Sequence, residues 1–173
     1  MRITTPTVAL LLVLTTNTAC SQQPTASAQS ASKAAGMTAE HAASASRGPD
    51  LQWGPAPAIF PAGAEMAVLQ GNPAGTELFT VRLRFPNGYR IAPHTHPTDE
   101  HVTVISGTFL VGMGETFDAK ATMKLKEGGF VTAPANHAHY AAARGPTVVQ
   151  VHAMGPFAMT YVNPADTPAA ARK

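Results

Sequence analysis

From about Gly48 onward the chain is cut into short apolar runs by turn residues. The full 173 residues hold fifteen prolines and fourteen glycines, and no long stretch shows helical periodicity. The runs are Glu65 to Gln70, Glu77 to Phe85, His101 to Val111, Ala121 to Lys126, Phe130 to Ala133, Thr147 to Ala153 and Phe157 to Val162. One of them alternates strictly. Phe79, Val81, Leu83 and Phe85 fall on one face and Thr80, Arg82 and Arg84 on the other, the pattern of a half-buried antiparallel strand. Turns at Gly71-Asn72-Pro73, Pro86-Asn87-Gly88 and Gly128-Gly129 separate the runs at the spacing of an all-β barrel or sandwich.

A chain this long, 45% hydrophobic and 13% charged, can bury one good core and has little room for a second, so one domain over 48–165 is expected, with a tail at 166–173. The net charge of +2 is scattered, and no basic run exceeds the terminal Arg172-Lys173 pair, which argues against a nucleic-acid partner.

The first 47 residues read differently. Met1-Arg2 gives a positive start and Val8 to Leu14 an apolar run of seven residues, followed by small polar residues, so residues 1–20 have the anatomy of a secretory signal. The run is too short for a membrane span, which needs about 20 apolar residues. Cys20, the only cysteine, stands where lipoprotein signals place the lipidated residue. Ala19 fits such a lipobox and Asn17 departs from it; the competing expectation is ordinary cleavage after Ala28 in Ala26-Ser27-Ala28. Residues 21–47 are rich in Ala and Ser, without aromatics, and are expected to be a flexible linker. The expected location is therefore the periplasm, or the outer membrane through a lipid anchor at Cys20. Without cysteine in the mature domain, any metal ligands there must be imidazole or oxygen.

Six of the seven histidines lie between His94 and His152. A lone histidine is usually a partly buried or surface residue with no ligand role. Spacing changes that. His94 and His96 are one residue apart, so on an extended segment both imidazoles project to the same side, about 7 Å apart along the backbone. The turn-forming residues Pro97-Thr98-Asp99 can fold Glu100 back toward them. His139 ends a second turn-rich segment, Pro134 to Ala138.

With Gly88, His94, His96, Glu100 and Gly107 the chain resembles the cupin superfamily, matching its first motif at every fixed position and interval. The second motif is matched at Gly128, Pro134 and His139, while Asn136 stands where glycine is usual and Ala143 where the closing asparagine is usual. Asn tolerates left-handed backbone better than other non-glycine residues. The resemblance covers about Trp53 to Val162. It implies a double-stranded β-helix (jelly-roll) barrel, with a metal held by His94, His96, Glu100 and His139 near one open end. Three imidazoles and a carboxylate suit a divalent transition metal such as Fe, Mn, Ni, Co, Cu or Zn, and suit Ca or Mg poorly.

Around that centre, His101 follows Glu100 and is expected on the opposite face, non-ligating. His137 is either a same-face neighbour of His139 or part of a mobile loop. Gln150 and His152 share one face of Thr147 to Ala153. That face is either solvent or the pocket; if it is the pocket, His152 is the candidate general acid or base, with Gln150 and Tyr140 orienting a substrate. Met113, Met123, Met154 and Met159 read as core filling.

The expected function is a metal-dependent enzyme, a dioxygenase-type oxidoreductase acting on a small organic molecule outside the cytoplasm. The alternatives are a non-catalytic module that binds or senses a metal or small ligand, and a metal serving only as a structural staple. The resemblance also implies a homodimer, as in many single-barrel cupins, and the apolar segment Trp53 to Pro61 could pack across such an interface.

Overall fold

In the computed structural model, residues 50–168 are described; the expected signal, Cys20, the linker to residue 47 and the end of the tail lie outside them. Eleven strands are found there, β1 Gly54–Pro55, β2 Glu65–Gln70, β3 Leu78–Phe85, β4 Arg90–Thr95, β5 Glu100–Ser106, β6 Thr108–Met113, β7 Met123–Lys126, β8 Phe130–Ala133, β9 His139–Ala143, β10 Thr147–Met154 and β11 Thr160–Tyr161. They form two antiparallel sheets, in the orders β1-β2-β3-β10-β5-β8 and β11-β4-β9-β6-β7. The core lies between them. β3 sends Phe79, Val81, Leu83 and Phe85 into it, as its alternation predicts, and β10 adds Val149 and Val151 in register with Leu83 and Val81.

Glycine decides one connection. The expected strand from His101 to Val111 is two strands, and they lie in different sheets. Gly107 turns the corner at φ 85°, where a Cβ would stand 2.4 Å from the Pro146 carbonyl oxygen and 2.7 Å from Thr147 Oγ1. Thr147 is fully buried there and donates its hydroxyl toward the Thr108 carbonyl at 3.1 Å. Gly107→Ala meets both a left-handed backbone and a backbone clash, so it is expected to lower stability by about 3 kcal/mol, read as a fall in urea midpoint at unchanged m-value. The same backbone region is used at Gly88, Gly128 and Asn136, with φ of 77°, 79° and 60°; Asn136 is the one non-glycine residue with positive φ among the described residues.

Several boundaries move. The expected strand Phe157 to Val162 shortens to β11, because the Phe157 N–H donates to the Pro73 carbonyl, outside either sheet, and the Ala158 N–H to that of Pro156. β4 and β9 were not evident from the sequence. The first contains Pro93, which lacks a ladder donor, and the second is His-Tyr-Ala-Ala-Ala, poor in strand formers. Met113, Met123 and Met154 are about half exposed rather than core filling. The segment from Trp53 to Pro61 packs largely on its own barrel: Phe60 joins the core, Ala56 and Ile59 lie against it, and Arg84 stacks over Trp53 at 4.5 Å.

Candidate metal centre

The centre is assembled where β4, β5 and β9 begin or end. On β4, both Ile91 and His94 are buried, three residues apart, which strict alternation forbids. The pairing of β4 with β9 shifts register between these two positions, at Ala92-Pro93, and the irregularity turns His94 inward. Normal alternation then carries His96 to the same side. His139, directly opposite His94 on β9, faces the same interior, and Glu100 opens β5 with its side chain inward.

The three imidazoles converge. Their ring centroids are 4.9 Å apart for His94 and His96, 4.3 Å for His94 and His139, and 5.2 Å for His96 and His139, and one ring nitrogen from each lies within 4.8 Å of the others. The Glu100 Oε2 is 3.5 Å from His139 Nε2 and 3.8 Å from His96 Nε2. All four side chains are buried.

Each imidazole is oriented from behind. His94 Nδ1 lies 2.7 Å from the Ala92 carbonyl, His139 Nδ1 3.0 Å from that of His137, and His96 Nδ1 2.6 Å from that of Ala158. A carbonyl oxygen only accepts, so each Nδ1 must carry the proton, which leaves the Nε2 lone pair free to face the interior. The Nε2 atoms of His96 and His139 are buried and have no hydrogen-bond partner. Such orphaned acceptors cost about 1–3 kcal/mol each unless something binds them. A divalent cation satisfies both, and nitrogen donors beside one carboxylate match a transition metal rather than Ca or Mg.

The electrostatics agree. Burial, with the neighbouring His139 and His96, pushes His94 down to about 3, so it is neutral at physiological pH. Burial alone would push the Glu100 carboxyl up, but the close imidazoles, His139 foremost, hold it below its ordinary value. Burial likewise works against a charged His139, yet the Glu100 carboxylate raises it above the usual histidine range. The carboxylate therefore favours positive charge where a cation would sit.

The interior beside these groups is apolar, with Phe85, Phe109, Val111 and Val151 among its walls, and its free volume is about 20 Å³, room for about one water molecule.

The other candidates are placed elsewhere. Gln150 and His152 point to the outer face of the six-stranded sheet, opposite the buried Val149 and Val151. There Gln150 Oε1 accepts from Arg82 Nε at 3.2 Å and His152 stacks on His101 at 5.2 Å. Tyr140 is buried, but behind β9, with its ring against Phe117 and its hydroxyl donating to the Asp118 carbonyl at 3.1 Å. None of the three lines the interior chamber, so their expected roles as acid, base or orienting groups are corrected: alternation along β9 and β10 turns them away from it. His152→Ala is expected to change metal affinity less than about twofold, measured by competitive titration against a chromophoric chelator. His101 is on the outer face as expected, and His137 is exposed in the turn before β9.

Sequence reasoning missed the segment from Gly155 to Met159. Phe157 stacks on His96 at 5.5 Å, Ala158 orients that same ring, and Met159 lines the chamber. The one available signal was the Gly155-Pro156 break, which separates the expected strands Thr147 to Ala153 and Phe157 to Val162.

Residues 81–155 match the family model described as the cupin domain. Over this stretch the chain is similar to the cupin superfamily. Solved structures agree on the fold. The polyketide cyclase RemF from Streptomyces resistomycificus aligns at a TM-score of 0.58 and 14% identity, covering 72% of this chain and 88% of its own. An RmlC-like cupin from Shewanella frigidimarina aligns at 0.51 and 19%, covering 63% and 87%. A putative ethanolamine utilization protein, EutQ, from Salmonella typhimurium aligns at 0.51 and 18%, covering 62% and 82%. No curated protein matches this chain in sequence. At these identities the likeness concerns the barrel, and the chemistry must be argued from the site.

Proposed function

We propose that this protein is an exported, metal-dependent oxidoreductase of the dioxygenase type, acting on a small organic molecule. The observation that carries the metal is the pair of buried, unpartnered Nε2 atoms on His96 and His139, set beside His94 and the Glu100 carboxylate. Export is supported by the charged start, the apolar run from Val8 to Leu14 and the position of Cys20. Bound there, a transition metal supplies Lewis-acid or one-electron chemistry at neutral pH. The protein's part is to hold three Nε2 donors in place through backbone carbonyls, to keep Glu100 ionised, and to exclude bulk water with apolar walls. Since Gln150, His152 and Tyr140 lie outside the chamber, no uncommitted side-chain acid or base lines it among the described residues. That supports a reaction driven by the metal rather than by protein proton transfer.

Burial of all four donors around so small a space favours a second reading, a module that binds or senses a metal or small ligand without turnover. Dioxygen uptake by the Fe-loaded protein, presented with catechols, β-diketones and flavonoids, separates the two. Uptake that disappears in His96→Ala supports the enzyme. Saturable binding without uptake across the panel supports the module.

A further inference from the structure

All four donor side chains are buried, so a ligand reaches the centre only if some wall moves. Outside the barrel, bordered by Ile59, Thr160, Tyr161, Pro164 and Thr167, is a groove of about 240 Å³. Met159 borders it too, and the same side chain lines the inner chamber with His94, Glu100 and His139. One half-buried residue thus has the chamber on one side and the groove on the other. We propose that Met159 is the gate of this centre, and that it admits narrow, uncharged organic molecules from the groove; this rests on reading the centre as a metal and ligand site.

The neighbours are held more firmly than Met159. Phe157 is pinned by its N–H bond to Pro73 and wedged against Phe60, Phe79 and His96, with centroids at 5.9, 5.1 and 5.5 Å. Phe60 also borders both the chamber and a second outer groove, of about 740 Å³, but it is only 5% exposed and its ring is held against Phe157. Tyr161 is tied down by its hydroxyl, which donates to the Ile59 carbonyl at 2.8 Å. Met159 has an unbranched side chain with three rotatable bonds, able to fold into or out of the opening without backbone change. No charged side chain borders the groove, and the chamber beyond is apolar apart from the donors, so a charged molecule would lose hydration without a partner on the way in. An uncharged molecule with one small donor group meets no such barrier.

The test reads access directly and needs no metal. Diethylpyrocarbonate acylates neutral imidazole, and peptide mass spectrometry gives its rate at each histidine of the metal-free protein. The exposed His137 serves as the internal reference. The ratio of His94 to His137 rates is expected to rise about tenfold in Met159→Ala and to fall in Met159→Phe, as the opening is widened or filled. If alanine loosens the whole barrel, the phenylalanine variant still decides. Equal ratios in wild type and Met159→Phe, or in all three proteins, overturn the gate.

A second arm loads the proteins with Co(II) and titrates imidazole at pH 8, following the visible absorption of the metal. Imidazole is expected to bind about tenfold tighter to Met159→Ala than to wild type, with Co(II) affinity itself unchanged. Loss of Co(II) affinity in Met159→Ala would make Met159 a ligand and overturn its role as a gate. Failure of the wild type to take up Co(II) counts against the metal centre, while the acylation ratio still tests the gate.

Discussion

His139→Ala is expected to weaken binding of a divalent transition metal at least about 100-fold, or about 2.7 kcal/mol, while leaving the barrel folded. Three features concentrate the effect on this residue. His139 faces His94 directly across β4 and β9, and its Nε2 is one of the two buried atoms without a partner. It is also the imidazole nearest the Glu100 carboxylate. Removing it takes away one donor and leaves the carboxylate with a weaker hold on the remaining ones. His139→Gln keeps much of the volume but not the imidazole and should lose nearly as much. The pH dependence follows from the same contact. Because Glu100 raises His139 above the usual histidine range, a metal must displace a proton there, so affinity falls as pH drops through that raised value. Isothermal titration of the metal-free wild type and both variants at several pH values checks affinity and proton release together.

The second large effect is acid loss of stability in the metal-free protein. His94 is lowered to about 3 in the folded state against an ordinary 6.5, so between those values the unfolded chain binds a proton that the folded chain refuses. Stability therefore falls as pH drops from 6.5 toward 3, by about 4 kcal/mol at about 1.4 kcal/mol per unit. Glu100, lowered from 4.5, works in the same direction, but only as pH falls below that value. His139 works the other way at higher pH: raised above 6.5, its contribution is complete below 6.5 and is lost as pH rises through the folded value. Between 6.5 and 4.5 His94 dominates these three. Chemical denaturation at pH 7, 5.5 and 4.5 should show a steady fall in the wild type, and a much smaller one in His94→Leu, where a neutral side chain of similar size removes the titration.

Much of this centre was legible in the chain. The turn at Gly88 and the same-side pair of imidazoles at His94 and His96 are each found in place, whereas the corner at Gly107 was read as the middle of one strand. The alternation of β3 likewise gives its buried face without ambiguity. What the chain hid were matters of face and connection. β4 and β9, which bring His94 and His139 together, are masked by Pro93 and by a run of alanines, because pairing on both sides holds them as strands despite weak local preference. Gln150 and His152 show the limit of period-2 reasoning. Alternation says that they share a face, but only the buried valines between them, packed opposite Val81 and Leu83, say which face is inside. Met159 was invisible for a further reason: its place on the chamber wall depends on a bend after Gly155-Pro156 and on Phe157 bonding to Pro73, a contact between distant segments.

Elemental analysis of the protein purified from its own compartment, without added metal, tests the central claim most directly. About one equivalent of Fe, Mn, Co, Ni, Cu or Zn per chain is expected, falling to a trace in His96→Ala and His139→Ala prepared identically. Wild-type protein with no more metal than the two variants, and unable to take up an equivalent on reconstitution with any of the six, would contradict it.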